Sequence, residues 1–218
     1  MKSVLLFLAL IGLAQAEPFV EAAGGYTTFR QYKQDGARFY QEVFPWSSDM
    51  RSPAWRVGIG NKINDQWDYM VSWLSLGRNS VDAVYVEDVN YDAQAHRCLR
   101  ECDKLVHNRA VGSASGPEFA LRRNFESVYL RGGLFVWIAR LDASGWRDDN
   151  PERQVQQYHW QQAPQTMLAP FLGAGIRHKF TGGEVFAEAS YYHVVESTGG
   201  YPLAKRAIVP MLGLRMGY

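Results

Sequence analysis

The chain has 218 residues with 23 basic and 22 acidic side chains, a formal net charge of +1. So even a balance excludes the basic footprint of a nucleic-acid-binding protein. Aromatic residues make up 14% while mean hydropathy is −0.27, which fits strands apolar on one side only, and beyond the amino terminus no apolar run is long enough to span a bilayer as a helix.

Met1-Lys2-Ser3 precedes an apolar run, Val4–Ala14, and then Ala14-Gln15-Ala16, with small residues where a signal peptidase needs them. The run is far shorter than the roughly 20 residues of a spanning helix. Residues 1–16 therefore read as a cleaved secretory signal peptide, leaving 17–218 as a single domain. An exported chain without a spanning helix is either a soluble protein outside the cytoplasm or a β-barrel.

The mature chain opens on Glu17–Phe29, where Phe19, Glu21, Ala23, Gly25 and Thr27 share one face and Val20, Ala22, Gly24, Tyr26 and Thr28 the other. Glu21 must meet water or a cation, since an unpaired buried charge is very costly. After a polar connection, Pro53–Ile63 puts Trp55, Val57 and Ile59 opposite Arg56, Gly58, Gly60 and Lys62. Asn64–Gln66 supplies turn residues, and Trp67–Leu76 resumes with Trp67, Tyr69, Val71 and Trp73 against Asp68, Met70, Ser72 and Leu74.

Residues 77–116 begin with an alternating stretch, SVDAVYVEDVNY, which reads either as a continuation of that strand or as a separate hairpin. The charged Ala93–Val106 reads as a short helix carrying Cys98 and Cys102. In an oxidising compartment these two cysteines are expected to form a disulfide closing a small loop. The rival reading is a metal site with His96 and His107, whose spacing is not a standard zinc pattern.

Pro117–Phe125 is a weaker strand with Ala120 and Arg122 inward, and Ser127–Leu141 a strong one with Tyr129, Arg131, Gly133, Phe135 and Trp137 on one face. Thr166–Phe180 sets Phe171, Gly173, Gly175, Arg177 and Lys179 inward, and Glu184–Val195 does the same with Glu184, Phe186, Glu188, Ser190 and Tyr192. In the last strand, Lys205–Tyr218, Val209, Met211, Gly213, Arg215 and Gly217 oppose Ile208, Pro210, Leu212, Leu214, Met216 and Tyr218. Pro210 cannot donate to a ladder and is expected near the extracellular rim or at a bulge.

These segments number eight, and their connections run long, short, long, short, long, short, moderate: 30–52, 64–66, 77–116, 124–126, 142–165, 181–183 and 196–204. Such alternation predicts an all-β fold, an eight-stranded antiparallel up-and-down transmembrane β-barrel.

The stretches WRVGIGNKINDQWDYMVSWLSLG, VYLRGGLFVWIARL, PFLGAGIRHKF with its TGG turn, and MLGLRMGY resemble the family of small outer-membrane β-barrels typified by the OmpA transmembrane domain. The resemblance implies an outer membrane of the Gram-negative type, contact with its lipid and lipopolysaccharide, and extracellular placement of 30–52, 77–116, 142–165 and 196–204. The ending, with Gly213, Met216 and Tyr218, looks like the signal read by the β-barrel assembly machinery. Trp55, Trp67, Tyr69, Trp73, Phe180 and Tyr218 are expected at the membrane interfaces.

An eight-stranded lumen is just wide enough for side chains to fill it. Glu21, Arg56, Lys62, Asp68, Arg122, Arg131, Arg177, Glu188 and Arg215 all fall on inward faces. The expected plug is a salt-bridge network of Glu21 and Glu188 with Arg56, Arg131, Arg177 and Arg215. Surface connections carrying Tyr40, Phe44, Trp46, Trp146, Tyr158 and Trp160 would then serve interaction with an unidentified extracellular ligand or partner, or shielding. Two alternatives remain: a narrow or gated pore, and a lipid A-modifying enzyme. For the latter, His193 is the candidate base, but Ser197 would lie some 13 Å along an extended chain. No cofactor or metal is expected.

Overall fold

The computed structural model describes residues 17–30, 47–86, 91–92, 97–98, 104–149, 154–195 and 206–217. The signal-peptide reading of 1–16, most of the connections 30–52 and 196–204, the Cys98–Cys102 pairing and Tyr218 lie outside the described residues or side chains.

Eight long strands form the wall: β1 Pro18–Arg30, β2 Arg51–Lys62, β3 Trp67–Val86, β4 Lys104–Asn124, β5 Val128–Asp149, β6 Gln154–Phe180, β7 Gly183–His193 and β8 Arg206–Gly217. Each pairs antiparallel with its neighbours in sequence. β1 also pairs with β8, from Phe19↔Gly217 to Arg30↔Arg206, closing the barrel. Closure leaves the wall without a free edge in an apolar medium, where an unpaired backbone group is costly. No helix occurs among the described residues.

Tight turns at Ile63–Gln66, Phe125–Ser127 and Thr181–Gly182 gather at one end, together with the start of β1 and the end of β8. At the other end the strands are very unequal. β1, β2, β7 and β8 have 11 to 13 residues, whereas β3, β4, β5 and β6 have 20, 21, 22 and 27. About 9–11 residues suffice to cross a bilayer. The four long strands therefore continue as a sheet standing above one side of the barrel.

For β3 this is the continuation that the alternating stretch SVDAVYV allows, whereas β4, β5 and β6 run beyond the shorter segments that alternation alone marks out. Gly77–Val86 and Lys104–Gly116 are one paired ladder, from Gly77↔Ala114 to Val86↔Leu105. Of the stretch expected to be helical, Lys104–Val106 lies in β4, and Arg97–Cys98 pairs with Tyr91–Asp92. Leu105 and Val106 take their backbone partners from β3 and β5. At Ser75/Gly77 the register shifts. Gly77 has φ 78 there, a conformation that disfavours side chains, so the bulge sits where β3 passes from barrel wall to raised sheet.

Pro210 lies four residues inside the described start of β8, and no register shift marks a bulge there. β1 and β8 pair at Gly25↔Met211 and again at Thr28↔Ile208 in the same register, and the ladder skips the residues between, where Pro210 has no N–H to give. Pro117 behaves alike, because β4 and β5 pair at Ser115↔Ile138 and next at Glu118↔Phe135. Gly25 lets the seam close over this gap, since a Cβ there would lie 2.0 Å from the Pro210 carbonyl oxygen. Gly25→Val is expected to force β1 from β8 and cost about 1–3 kcal/mol as overpacking does, measured by urea unfolding of the detergent-folded barrel.

Candidate functional site: a charge-filled lumen

Strand alternation sends the two faces of the wall into opposite surroundings. Outward, Leu212 is 70% exposed, Leu172 68% and Ile59 67%, whereas inward Arg56 is 1% exposed and Glu118 0%. Such an inside-out distribution would be ruinous in water, since large apolar side chains around the whole wall would be solvated while charges are buried. It is stable when hydrocarbon surrounds the wall.

At mid-lumen four side chains from four strands form a ring of alternating charge. Arg56 of β2 gives Nη1 to Glu188 Oε1 of β7 at 2.6 Å, and Arg131 of β5 gives Nη1 to the same oxygen at 2.7 Å. Arg131 Nη2 donates to Glu118 Oε1 of β4, and Arg56 Nη1 completes the ring at 3.9 Å from that atom. Neutral donors take the remaining lone pairs: Tyr129 OH to Glu188 Oε2 at 2.9 Å, Tyr192 OH to Glu118 Oε2 at 2.6 Å and Ser72 Oγ to Glu118 Oε1 at 3.1 Å.

Glu21 connects this ring to a second layer nearer the turns. Its Oε1 accepts from Arg56 Nη2 at 2.6 Å, and its Oε2 from Arg215 Nη2 at 2.8 Å. Arg215 also donates to Asp68 Oδ2 at 2.8 Å and rests over the Phe19 ring, 3.9 Å from its centroid. Arg122 brings Nη2 to 2.6 Å from Glu184 Oε1, an ion pair without hydrogen-bond angles, and lies over the Tyr129 ring at 3.7 Å. Arg177 reaches Glu184 Oε2 at 3.2 Å and ties down the Phe125–Ser127 turn through the Phe125 carbonyl oxygen at 2.7 Å.

Of the residues expected in the plug, Glu21, Arg56, Arg131 and Glu188 meet at mid-lumen, Arg215 is one layer below and Arg177 is at the turn-end rim. Lys62 leaves the lumen for an exposed pair with Glu17. Alternation sets Glu184 and Tyr192 inward and Tyr129 on the face of Arg131 without assigning them to the network, and Glu118 is given no face. Glu118 shares parity with Ala120 and Arg122 and could have been found on that basis. Above the ring the lumen is mainly apolar: Phe135 meets Tyr192 edge-on and Trp137 at a tilt, with ring centroids 5.7 and 5.8 Å apart, and Leu74 and Leu76 are fully buried.

On the outer wall Trp55 and Trp73 are exposed on adjoining strands, with Trp73 six residues along β3 from Trp67. Trp67 stands at the turn end, with the Arg123 guanidinium 5.6 Å from its ring, near Tyr69 and level with the exposed Phe180. His193 is half-buried and stacks on Tyr191, while Ser197 lies outside the described residues.

A closed antiparallel barrel with an apolar outer wall and a charge-paired interior is a transmembrane β-barrel of the up-and-down type. Among solved structures the chain is similar to the Yersinia pestis attachment invasion locus protein Ail, in complex with the heparin analogue sucrose octasulfate, at 14% identity, covering 93% of this chain and 99% of that one with a TM-score of 0.40. It is also similar to the N-terminal β-barrel domain of Pseudomonas aeruginosa OprF, at 15% identity, 94% and 100% coverage and a TM-score of 0.40. For Neisserial surface protein A the figures are 12%, 94%, 100% and 0.41. No protein-family model and no curated protein sequence matches the chain. With likeness this distant, the class rests on the barrel's own closure and exposure.

Removing one member of the ring, such as Glu118, leaves a buried charge unbalanced, although Arg131 keeps Glu188 and Arg56 keeps Glu188 and Glu21. Glu118→Leu is expected to cost about 3–5 kcal/mol, read as a lowered midpoint of urea unfolding followed by tryptophan fluorescence. Tyr192→Phe, which takes away only a neutral donor to that carboxylate, should cost no more than about 1–3 kcal/mol.

Proposed function

We infer that the chain is an outer-membrane β-barrel protein whose lumen is plugged and whose activity is exercised by the surface beyond the barrel, in interaction or shielding and not in catalysis. The observation carrying this reading is the ring of Arg56, Glu188, Arg131 and Glu118, which joins four strands across the lumen and is backed on one side by the Glu21–Arg215–Asp68 layer and on the other by Phe135 and Trp137. A solute would have to part several charge-assisted hydrogen bonds at once, and each of those is roughly twice as strong as a neutral one.

The raised sheet supports the second half of the reading. It carries exposed Tyr158 and Trp160 on β6, with the His159 ring 2.6 Å from Asp142 on β5, far along strands that have already exceeded bilayer thickness. Aromatic side chains in such a position suit a recognition surface. In this reading the raised sheet and the connections around it face outward from the cell, the turns face the periplasm, and lipopolysaccharide surrounds the outer part of the wall.

Reconstituted protein in planar bilayers is expected to show no stable, sizeable open state, and such a state would establish the gated pore instead. Cell fractionation should place the protein in the outer membrane with a folding-dependent gel shift, and recovery from the soluble periplasm would refute the membrane placement. Lipid A hydrolysis by the wild type that is lost in His193→Ala would replace the non-catalytic reading with an enzymatic one.

A further inference from the structure

On β3 the buried, lumen-facing residues are even-numbered from Asp68 to Leu76 and odd-numbered at Asn79 and Val81. The bulge at Ser75/Gly77 makes this inversion. Without it Arg78 would enter the lumen. With it Arg78 is exposed on the outer face, and its backbone N–H is held by Ser52 Oγ at 2.7 Å. The second irregularity, at Ala139/Leu141, brackets Arg140, which is exposed as well. Ser113 lies between the two arginines, as the Cα partner of Arg78 on one side and of Arg140 on the other. Neighbouring strands are about 4.8 Å apart, so the arginines stand about 10 Å from each other across one serine, near enough for both guanidiniums to reach a single anion over its hydroxyl.

The level of this row is set by the wall below it. From Arg123, at the turn end beside Trp67, to Ser113 is ten residues of β4. That is some 33 Å of extended chain, which at the usual strand tilt stands about 25 Å tall, the height of an apolar band. Over that height the outer faces of β3, β4 and β5 carry exposed Val71, Trp73, Phe119, Leu121 and Leu134. The arginine row therefore falls where hydrocarbon gives way to headgroups on the raised-sheet side.

Asp142 and Asp82 follow on the same face, but both are committed. Asp142 takes His159 at 2.6 Å and Gln161 at 3.2 Å, and Asp82 faces His107 at 3.8 Å and Arg109 at 3.9 Å. Arg78 and Arg140 have no acidic side chain within ion-pair distance among the described residues. Two unneutralised guanidiniums flanking a hydroxyl offer donors to a tetrahedral oxyanion from three sides, and the planar fork of arginine suits phosphate in particular.

We propose that Arg78, Ser113 and Arg140 bind the phosphate monoester of a lipid headgroup whose acyl chains run down the wall over Trp73, Phe119 and Leu134. The site rests on the membrane placement inferred above, and it gives the raised-sheet side of the wall a preference among the lipids that surround it.

The test uses the full mature barrel in a nonionic detergent, titrated with short-chain phosphatidic acid and with phosphatidylcholine of the same chain length, and read by native mass spectrometry. Phosphatidic acid is expected to bind at least about tenfold more tightly, the worth of one charge-assisted hydrogen bond. The double variant Arg78→Gln, Arg140→Gln should erase that preference in protein that keeps its folded gel shift, while Arg109→Gln, which removes a cation of the same face outside the row, should keep it. Should the double variant fail to fold, Ser113→Glu serves instead, because a carboxylate between the guanidiniums takes the place of the anion, and the preference should again be lost. Equal affinity for the two lipids, a preference retained in the variant tested, or an equal loss in Arg109→Gln overturns the proposal. Inorganic phosphate at the same concentration is expected not to displace the lipid, and displacement would overturn the lipid assignment in favour of a soluble phosphate. Recovery of the protein from the soluble periplasm would fail the membrane placement itself, whereas an outer-membrane barrel without this lipid preference fails the phosphate site alone.

Discussion

The alternating ring of Arg56, Glu188, Arg131 and Glu118 is the constraint that the rest of the barrel satisfies. Its members come from β2, β7, β5 and β4, so it can form only after strands distant in sequence have been brought around one axis. Buried ion pairs of this kind are weak evidence for stability, because desolvation offsets most of the Coulombic gain. They are much stronger as devices of register. A slip of one residue turns a whole strand over, and here that would carry a charge into hydrocarbon and a Leu or Ile into the charged lumen.

The neighbours of the ring follow the same logic. Glu21 and Arg215 are Cα partners across the closing seam, so the pairing that joins the two ends of the chain carries its own salt bridge. Asp68 and Arg122 are opposite one another in β3 and β4. Arg122 and Arg131 are also directly opposite, in β4 and β5, an arrangement that is repulsive by itself. The two guanidiniums are drawn apart, Arg131 upward to Glu118 and Glu188, Arg122 downward to Glu184 with its face on Tyr129. With Arg177 included, the lumen holds five carboxylates and five guanidiniums among the described residues, so the layers balance without a bound ion.

What the sequence made legible tracks what the surroundings demanded. Within hydrocarbon every second residue must be apolar, and Trp55, Val57 and Ile59, or Leu168, Leu172 and Ile176, declare their strands plainly. The raised sheet exceeds the length needed to cross the bilayer and has no such demand, so Asn108, Arg109 and Ser113, or Gln156, Gln157 and Gln161, read as loop although they are paired. The same difference explains why the stretch around Cys98 suggested a helix: its charges fit a solvated helix and a solvated strand equally, and only pairing, of Arg97–Cys98 with Tyr91–Asp92 and of Leu105 and Val106 with β3 and β5, decides. Glu118 stands at the second position of the strand marked out from Pro117 and shares the parity of Ala120 and Arg122, so its inward face was open to the same reading. Which carboxylate meets which guanidinium was beyond periodicity altogether, since parity gives a face and not a height or a partner across the lumen.

Strand length divides the molecule in a way that charge does not. β1, β2, β7 and β8 end soon after they have crossed an apolar layer, whereas β3 to β6 continue by about nine to eighteen residues beyond the 9–11 that crossing takes. Backbone pairing in that extension uses no lumen side chain, and the bulge at Gly77 and the irregularity at Ala139/Leu141 lie near where the wall ends and the raised sheet begins. Below those points almost every inward position is committed to the ring, to the layer under it or to the aromatic cluster above. Beyond them a side chain such as Trp160 or His159 is answerable to its cross-strand neighbours alone. The fold thus confines its strict requirements to the lumen and leaves the raised sheet free to be shaped by whatever it meets.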